Sequence, residues 1–199
     1  MAITAKKSLR LFILGATGGI GRELVDQTLH WQHRVTAFLR SPQKLGAPRE
    51  GLTMIQGDVL NAEAVAAALA GHDAVLSAIG PPGPGRTTIT GDSAQATLAA
   101  MRATGVRRLL IVGVAVLFDD AGILARLLRK TLLRNVANDS AEMERIVRAS
   151  NLDWTIRTPA ASDERPADRA LRYRRRSPAV RCGWGGNDKP SRCRSLPPR

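Results

Sequence analysis

The sequence predicts an α/β protein whose core is a doubly wound parallel sheet. Three observations predict it. Short, continuous apolar runs recur through residues 1–156, as strands buried on both faces require. Between them lie stretches whose apolar residues recur at helical spacing. A glycine cluster, Gly15, Gly18, Gly19 and Gly21, joins the first apolar run to the first helical stretch. Strands alternating with single helices indicate right-handed βαβ units.

Taken in order, Leu9 to Leu14 is a buried first strand, and Ile20, Leu24, Val25 and Leu29 mark a helix closing near His30. Arg34 to Leu39 is a second strand, ended by Arg40, Ser41 and Pro42. Leu52 to Gln56 is a third, followed by Gly57-Asp58-Val59. Asn61 is placed to cap an alanine-rich helix through Ala70. A fourth strand covers Ala74 to Ala78, and Gly80 opens a proline- and glycine-rich loop. Asp92 or Ser93 starts the next helix, which runs to Thr104, and Arg108 to Val112 is a fifth strand.

Beyond Val112 the pattern changes. Asp119 and Asp120 read as the entry to a helix bearing Ile123, Leu124, Leu127 and Leu128. Its Arg126, Arg129 and Lys130, with Arg134 near its end, could meet phosphate or an acidic partner, or form a solvated face. Asp139 with Glu142 resembles an N-terminal cap for a helix carrying Met143, Ile146 and Val147. Asn151 suits the left-handed position that ends it. Trp154 to Ile156 begins a sixth strand.

The 199 residues suit one domain with a sizeable core. Their formal charge of +13 would ordinarily point to nucleic acid. Its distribution argues against that partner, because residues 157–199 hold 12 Lys+Arg and 4 Asp+Glu, a net 12 − 4 = +8, leaving +5 for residues 1–156. Both cysteines, Cys182 and Cys193, lie in this basic tail at a spacing that matches no metal or redox motif. No metal site is expected. Lys6 and Lys7 precede an apolar run, but that run ends in glycines and not in a cleavage site, and no segment is long enough to span a membrane. Cytoplasmic localisation is the expectation.

The glycine cluster carries the chemistry. A strand, a glycine turn and a helix in this order form a cradle for a dinucleotide pyrophosphate. Gly15 allows the tight turn, and Gly18 and Gly19 remove side chains where backbone N–H groups approach phosphate. Gly21 is expected to let the helix lie close on the sheet. The residue ending the second strand reports on the adenosine ribose. An acid there would bind the free 2′-hydroxyl and repel a 2′-phosphate, whereas this chain has Arg40, with Ser41 beside it and Lys44 further on. A guanidinium pairs phosphate through two hydrogen bonds, so NADP(H) is favoured over NAD(H). A solvated loop arginine is the other reading. Asp58 suits either the adenine amino group or a loop cap, and Gly80 permits close approach of the ribose and nicotinamide.

Together, G-A-T-G-G-I-G, F-L-R-S, G-D-V, S-A-I-G and S-N-L-D-W-T-I resemble an atypical short-chain dehydrogenase/reductase over about residues 8–156. The branch it resembles contains flavin and biliverdin reductases and NmrA-like regulators. The resemblance implies a Rossmann domain over residues 1–156. It also implies cofactor contacts along Gly15, Ala16, Thr17, Gly18, Gly19, Ile20 and Gly21, at Arg40, at Asp58 and Val59, and along Ala78, Ile79 and Gly80. Hydride transfer to a small planar acceptor such as a flavin follows from the same likeness. Ordinary members use a Ser after the fifth strand and a Tyr-x-x-x-Lys pair. Here Gly113, Val114 and Ala115 follow that strand, and Tyr173 is followed four residues later by Ser177. No catalytic acid is identified.

The tail departs from the resemblance. Proteins of this branch commonly continue past W-T-I with V-R-P-P-R-L-T-N-G-P and a T-G-R-Y-like strand. Read one nucleotide later, the codons of Arg157 to Pro166 permit V-R-P-P-R-L-T-N-G-P, and those through Leu171 permit R-T-G-R-Y. Residues 157–199 are therefore expected to be an out-of-frame, irregular or disordered tail. Loss of the last strand and helix should bare an apolar sheet edge and open the acceptor side, leaving the chain poorly stable and catalytically weak. Two functions are carried forward. One is an NADPH-dependent reductase, and the other a non-catalytic NADP(H)-sensing regulator acting through protein contacts. A nucleic-acid-binding protein is a weaker third.

Overall fold

The structure, a computed structural model, describes residues 8–83, 87–113, 134–157 and the short strand 173–175. Six strands run parallel: β1 (Arg10–Leu14), β2 (Arg34–Leu39), β3 (Leu52–Gln56), β4 (Ala74–Ser77), β5 (Arg108–Val112) and β6 (Asp153–Arg157). With β7 (Tyr173–Arg175) they form one sheet in the order β3-β2-β1-β4-β5-β6-β7. The chain winds outward from β1 in one direction and then, from β4, in the other. The strand order therefore reverses between β1 and β4, which pair directly. A doubly wound sheet binds its ligands in the crevice at such a switch point, outside the carboxyl ends of the strands.

Alternation along the strands supplies two cores. Leu11, Ile13, Val35, Ala37 and Leu39 pack with Val25 of α1 (Gly19–His30) on one face. Phe12, Leu14 and Phe38 point to the other face. There they meet Val65 and Leu69 of α2 (Ala62–Leu69), Leu98 and Met101 of α3 (Ile89–Thr104), and Met143 and Val147 of α4 (Arg134–Ala149). Burying strand side chains on both faces stabilises the sheet at about 25 cal/mol per Å² of apolar surface removed from water. Asn61 caps α2 as its sequence suggests, its Oδ1 accepting from the Ala64 N–H at 3.0 Å. Arg108 ties β5 to β6 through Asp153 Oδ1 at 2.9 Å and Thr155 Oγ1 at 2.7 Å.

The structure corrects the sequence reading at four places. Helix α3 begins at Ile89, three residues before the expected Asp92. Its first N–H groups are capped from another element: Asp139 accepts from Thr90 and Gly91 at 3.0 and 2.8 Å. Asp139 is accordingly a buried residue within α4, not the N-terminal cap of that helix, which already extends to Arg134. Asn151 does not take the left-handed conformation; among the described non-glycine residues only Gln32 has positive φ. The outer edge of β6 is not bare, because β7 pairs antiparallel with Thr155, Ile156 and Arg157. The helix expected over Ile123 to Leu128 lies outside the described residues.

A candidate dinucleotide site at the switch point

The crevice is built by the exits of β1 and β4. The Ala78 N–H donates to the Leu14 carbonyl at 2.9 Å, holding the two exits side by side. Gly15 turns out of β1 with φ +75, and a Cβ there would lie 2.6 Å from the Ala78 carbonyl carbon. Glycine is required on both counts. At Gly21 a Cβ would stand 2.0 Å from the Gly15 oxygen and 2.8 Å from the Ala16 Cα. Its role is thus to let α1 close on the turn that leaves β1. Ala16 is buried beneath this turn.

Gly18 and Gly19 are different. A Cβ at Gly18 would touch only the Gly15 oxygen at 3.5 Å, and one at Gly19 would meet nothing within 4 Å. Neither has positive φ. The protein's own packing therefore gives no reason for glycine at either position. Gly18 is the N-cap of α1 and supplies no side-chain cap, and the first turn holds no acidic residue. The leading N–H groups of a helix lack intrahelical acceptors and carry the positive end of its dipole. The Gly18 N–H donates to the Gly15 carbonyl at 3.1 Å, which leaves the amides that follow it at the helix start to suit the pyrophosphate of a dinucleotide. Thr17 and Ile20 flank them, Ile20 being 46% exposed.

The remaining candidate residues line the neighbouring exits. Arg40 leaves β2 with its side chain exposed, and Gln56 Nε2 donates to its carbonyl at 3.3 Å. Ser41 opens the single 3-10 turn Pro42–Lys44, and Lys44 is exposed at its end. Asp58 follows β3, and its Oδ1 accepts from the Leu60 N–H at 3.1 Å, which is the loop-capping reading of this residue. Val59 packs against the core beside it. After β4, Ala78 and Ile79 are half-buried and Gly80 faces open space. Glycine turn, β2 exit, β3 exit and β4 exit thus lie at one end of the sheet, as parallel strands require.

Sequence reasoning missed Arg22. Its Nε donates to the Thr17 carbonyl at 3.3 Å, and Nη2 donates to the Lys44 carbonyl. A basic residue immediately after the last glycine was the available signal.

A second cleft, of about 570 Å³, opens between α3 and α4 at the start of α3. Thr87, Asp92, Gln95, Asn135, Asn138 and Glu142 are among its lining, and among the described lining residues there is no cation and no aromatic ring. Arg145, hydrogen-bonded to Glu142, holds that carboxyl below its ordinary pKa. Neither Tyr nor Lys occurs anywhere on α4, and β5 runs into Gly113, so a Tyr-x-x-x-Lys pair and a strand-end hydroxyl are both missing from these elements. Among the described residues no group of three or more His, Cys, Asp or Glu could hold a metal ion, and no helix is long and apolar enough to cross a membrane.

A parallel sheet wound both ways from β1, with its glycine turn at the switch point, defines a Rossmann-fold protein. The chain belongs to the NAD(P)H-binding family, whose model matches residues 15–181. It is similar to the Bacillus subtilis protein YwnB, with 27% identity over 159 residues, which make up 77% of this chain and 72% of that protein. Among solved structures it resembles a Rossmann-fold NAD(P)-binding family protein from Shigella flexneri, at 28% identity and a TM-score of 0.58, covering 77% of this chain and 68% of that one. It also shares its fold with a Veillonella parvula short-chain dehydrogenase/reductase solved in complex with NADP. That likeness has 21% identity, a TM-score of 0.60 and coverage of 75% and 68% of the two chains.

Proposed function

We propose that this NAD(P)H-binding chain takes NADP(H) in preference to NAD(H) and is an NADPH-dependent reductase of a flavin-like or other small planar acceptor. The observation that carries the reading is the crevice itself. Glycines with no packing role stand at the N-terminus of α1 while the exposed Arg40 guanidinium stands at the adjoining β2 exit. Bound there, the coenzyme would supply a hydride from its nicotinamide. Gly19 would present its peptide N–H to the pyrophosphate, and Gly18, whose own N–H donates to the Gly15 carbonyl, would leave room for its approach. Arg40 would pair the 2′-phosphate, and a carboxylate in its place would repel it. Ile79 and Gly80 would border the nicotinamide half.

These residues bind and orient; none of them is placed to give a proton. Positioning of donor and acceptor would then supply most of the rate, with the proton taken from solvent or substrate. The test is a titration of the purified chain with NADPH and NADH, beside an Arg40→Asp variant, followed by NADPH oxidation with flavin or quinone. The reading expects tighter NADPH binding, loss of that preference in the variant, and oxidation that depends on the acceptor. Tight coenzyme binding with no oxidation by any planar acceptor would defeat the reductase assignment. An unchanged preference in Arg40→Asp would remove Arg40 as the discriminator.

A further inference from the structure

We propose that Arg22 is a positioning residue for coenzyme selection, a latch that holds the β2 exit against the glycine turn so that Arg40 and Lys44 face the adenosine 2′-phosphate. The proposal rests on the NADP(H) reading above. Its basis is connectivity. Arg22 stands directly after Gly21, and its backbone N–H donates to the Gly18 carbonyl at 2.9 Å, within the first turn of α1. From there one guanidinium reaches two different loops, through Nε to Thr17 in the glycine turn and through Nη2 to Lys44 at the end of the 3-10 turn.

The 3-10 turn also has local hydrogen bonds, lies against β3 and is anchored from below. Lys44 and Leu45 donate their N–H groups to the carbonyls of Ser41 and Pro42 at 3.1 and 2.9 Å, and Leu45 is buried in the core on the α1 face. Arg22 adds the hydrogen bond from this turn to the glycine turn. A planar guanidinium with five fixed donors can bridge two carbonyls and still present N–H groups outward. A lysine ammonium is a single point and cannot span the same two acceptors in the same geometry. Arg22, Arg40 and Lys44 bring three cations to the glycine turn and the β2 exit, where residues 15–22 and 40–46 contain no acidic side chain, while Asp58 stands at the β3 exit. NADH lacks the phosphate that would feel this arrangement.

The experiment compares wild type, Arg22→Met and Arg22→Lys by equilibrium titration with NADPH and with NADH, with thermal melting of each variant as a check on folding. Both substitutions are expected to weaken NADPH binding about tenfold, the scale of one charge-assisted contact, while NADH binding changes less than about twofold. The NADPH-to-NADH ratio is the decisive readout, since simple damage to the glycine turn would weaken both coenzymes together. Equal loss for both coenzymes overturns the latch, as does an Arg22→Lys variant with the full wild-type preference. A wild-type chain that binds neither coenzyme overturns the proposed function and this inference with it. A wild type that prefers NADPH, loses that preference in Arg40→Asp and keeps it in both Arg22 variants overturns this inference alone.

Discussion

The Asp139 carboxylate of α4 accepts the Gly91 N–H at 2.8 Å and the neighbouring Thr90 N–H at 3.0 Å, so one helix caps another. Thr88, the N-cap residue of α3, makes no side-chain cap of its own. Both amides lie in a buried setting, where a lost partner leaves a desolvated donor.

Asp139→Ala should therefore destabilise the chain by about 2 kcal/mol or more, and Asp139→Asn, which keeps one acceptor, by roughly half as much. Urea unfolding checks this through a lower midpoint at unchanged slope. Equal stability of Asp139→Ala and wild type would show that α3 finds another cap.

The glycine turn offers a sharper separation of fold from function. Gly21→Ala drives a methyl against the Gly15 carbonyl, and backbone on both sides leaves it nowhere to go. Its cost should reach the upper end of the roughly 1–3 kcal/mol seen for overpacking. Gly19→Ala meets nothing within 4 Å, and stability should be unchanged or slightly higher, since alanine favours helix. Yet Gly19→Ala should weaken coenzyme binding by about tenfold or more, because its methyl stands where phosphate would approach. Unfolding and coenzyme titration of the two variants measure the contrast. Unimpaired NADPH binding by Gly19→Ala would move the pyrophosphate away from this turn.

These contrasts also show what was legible in the sequence. Strands β2, β3 and β5 lie where their apolar runs place them, because strands buried on both faces leave continuous signatures. Asn61 and the glycine turn were readable for a related reason: a local cap and a tight turn act within a few residues. Asp139 was not. Its spacing to Glu142 imitates a capping box, while its true partners lie 48 and 49 residues away in the chain. The link from Arg22 to Lys44 was hidden in the same way, since it spans 22 residues, although a basic residue directly after the last glycine was itself visible. Of the candidate site, motif order supplied the residues to consider; the distinction between structural and non-structural glycines needed the packing around each.

Gly57 and Phe38 form a second testable pair. A Cβ at Gly57 would lie 2.2 Å from the Phe38 ring, which is buried and tilted against Phe12 with ring centroids 5.7 Å apart. Gly57→Ala must displace that ring, and overpacking of this kind costs about 1–3 kcal/mol. In a Phe38→Leu background the same substitution should cost measurably less, giving a coupling energy of at least about 0.5 kcal/mol in a double-mutant cycle. Additive effects would mean that the ring moves aside freely. Because Phe38 lies two residues before Arg40, the single variant should also disturb coenzyme preference, and the double variant should disturb it less.

The last prediction concerns the edge beside β6. β7 covers only Thr155, Ile156 and Arg157, three of the five residues of β6, with the sequence Tyr173-Arg174-Arg175. The pairing sets Arg174 opposite Ile156 and Arg175 opposite Thr155. Read one nucleotide later, the codons through Leu171 permit R-T-G-R-Y, a strand of the kind that proteins resembling this chain carry after W-T-I, falling just ahead of β7 in the chain. We infer that residues from about Arg157 onward are translated out of frame. The nucleotide sequence around codon 157 should then differ by a single-base shift from related genes. A chain expressed in the alternative frame should melt higher and oxidise NADPH faster with flavin than the 199-residue chain. An intact frame shared by related genes would overturn the inference, as would robust flavin reduction by the 199-residue chain. In that case the arginine-rich segment is a working part of the protein, and its short pairing with β6 is how the sheet is meant to end.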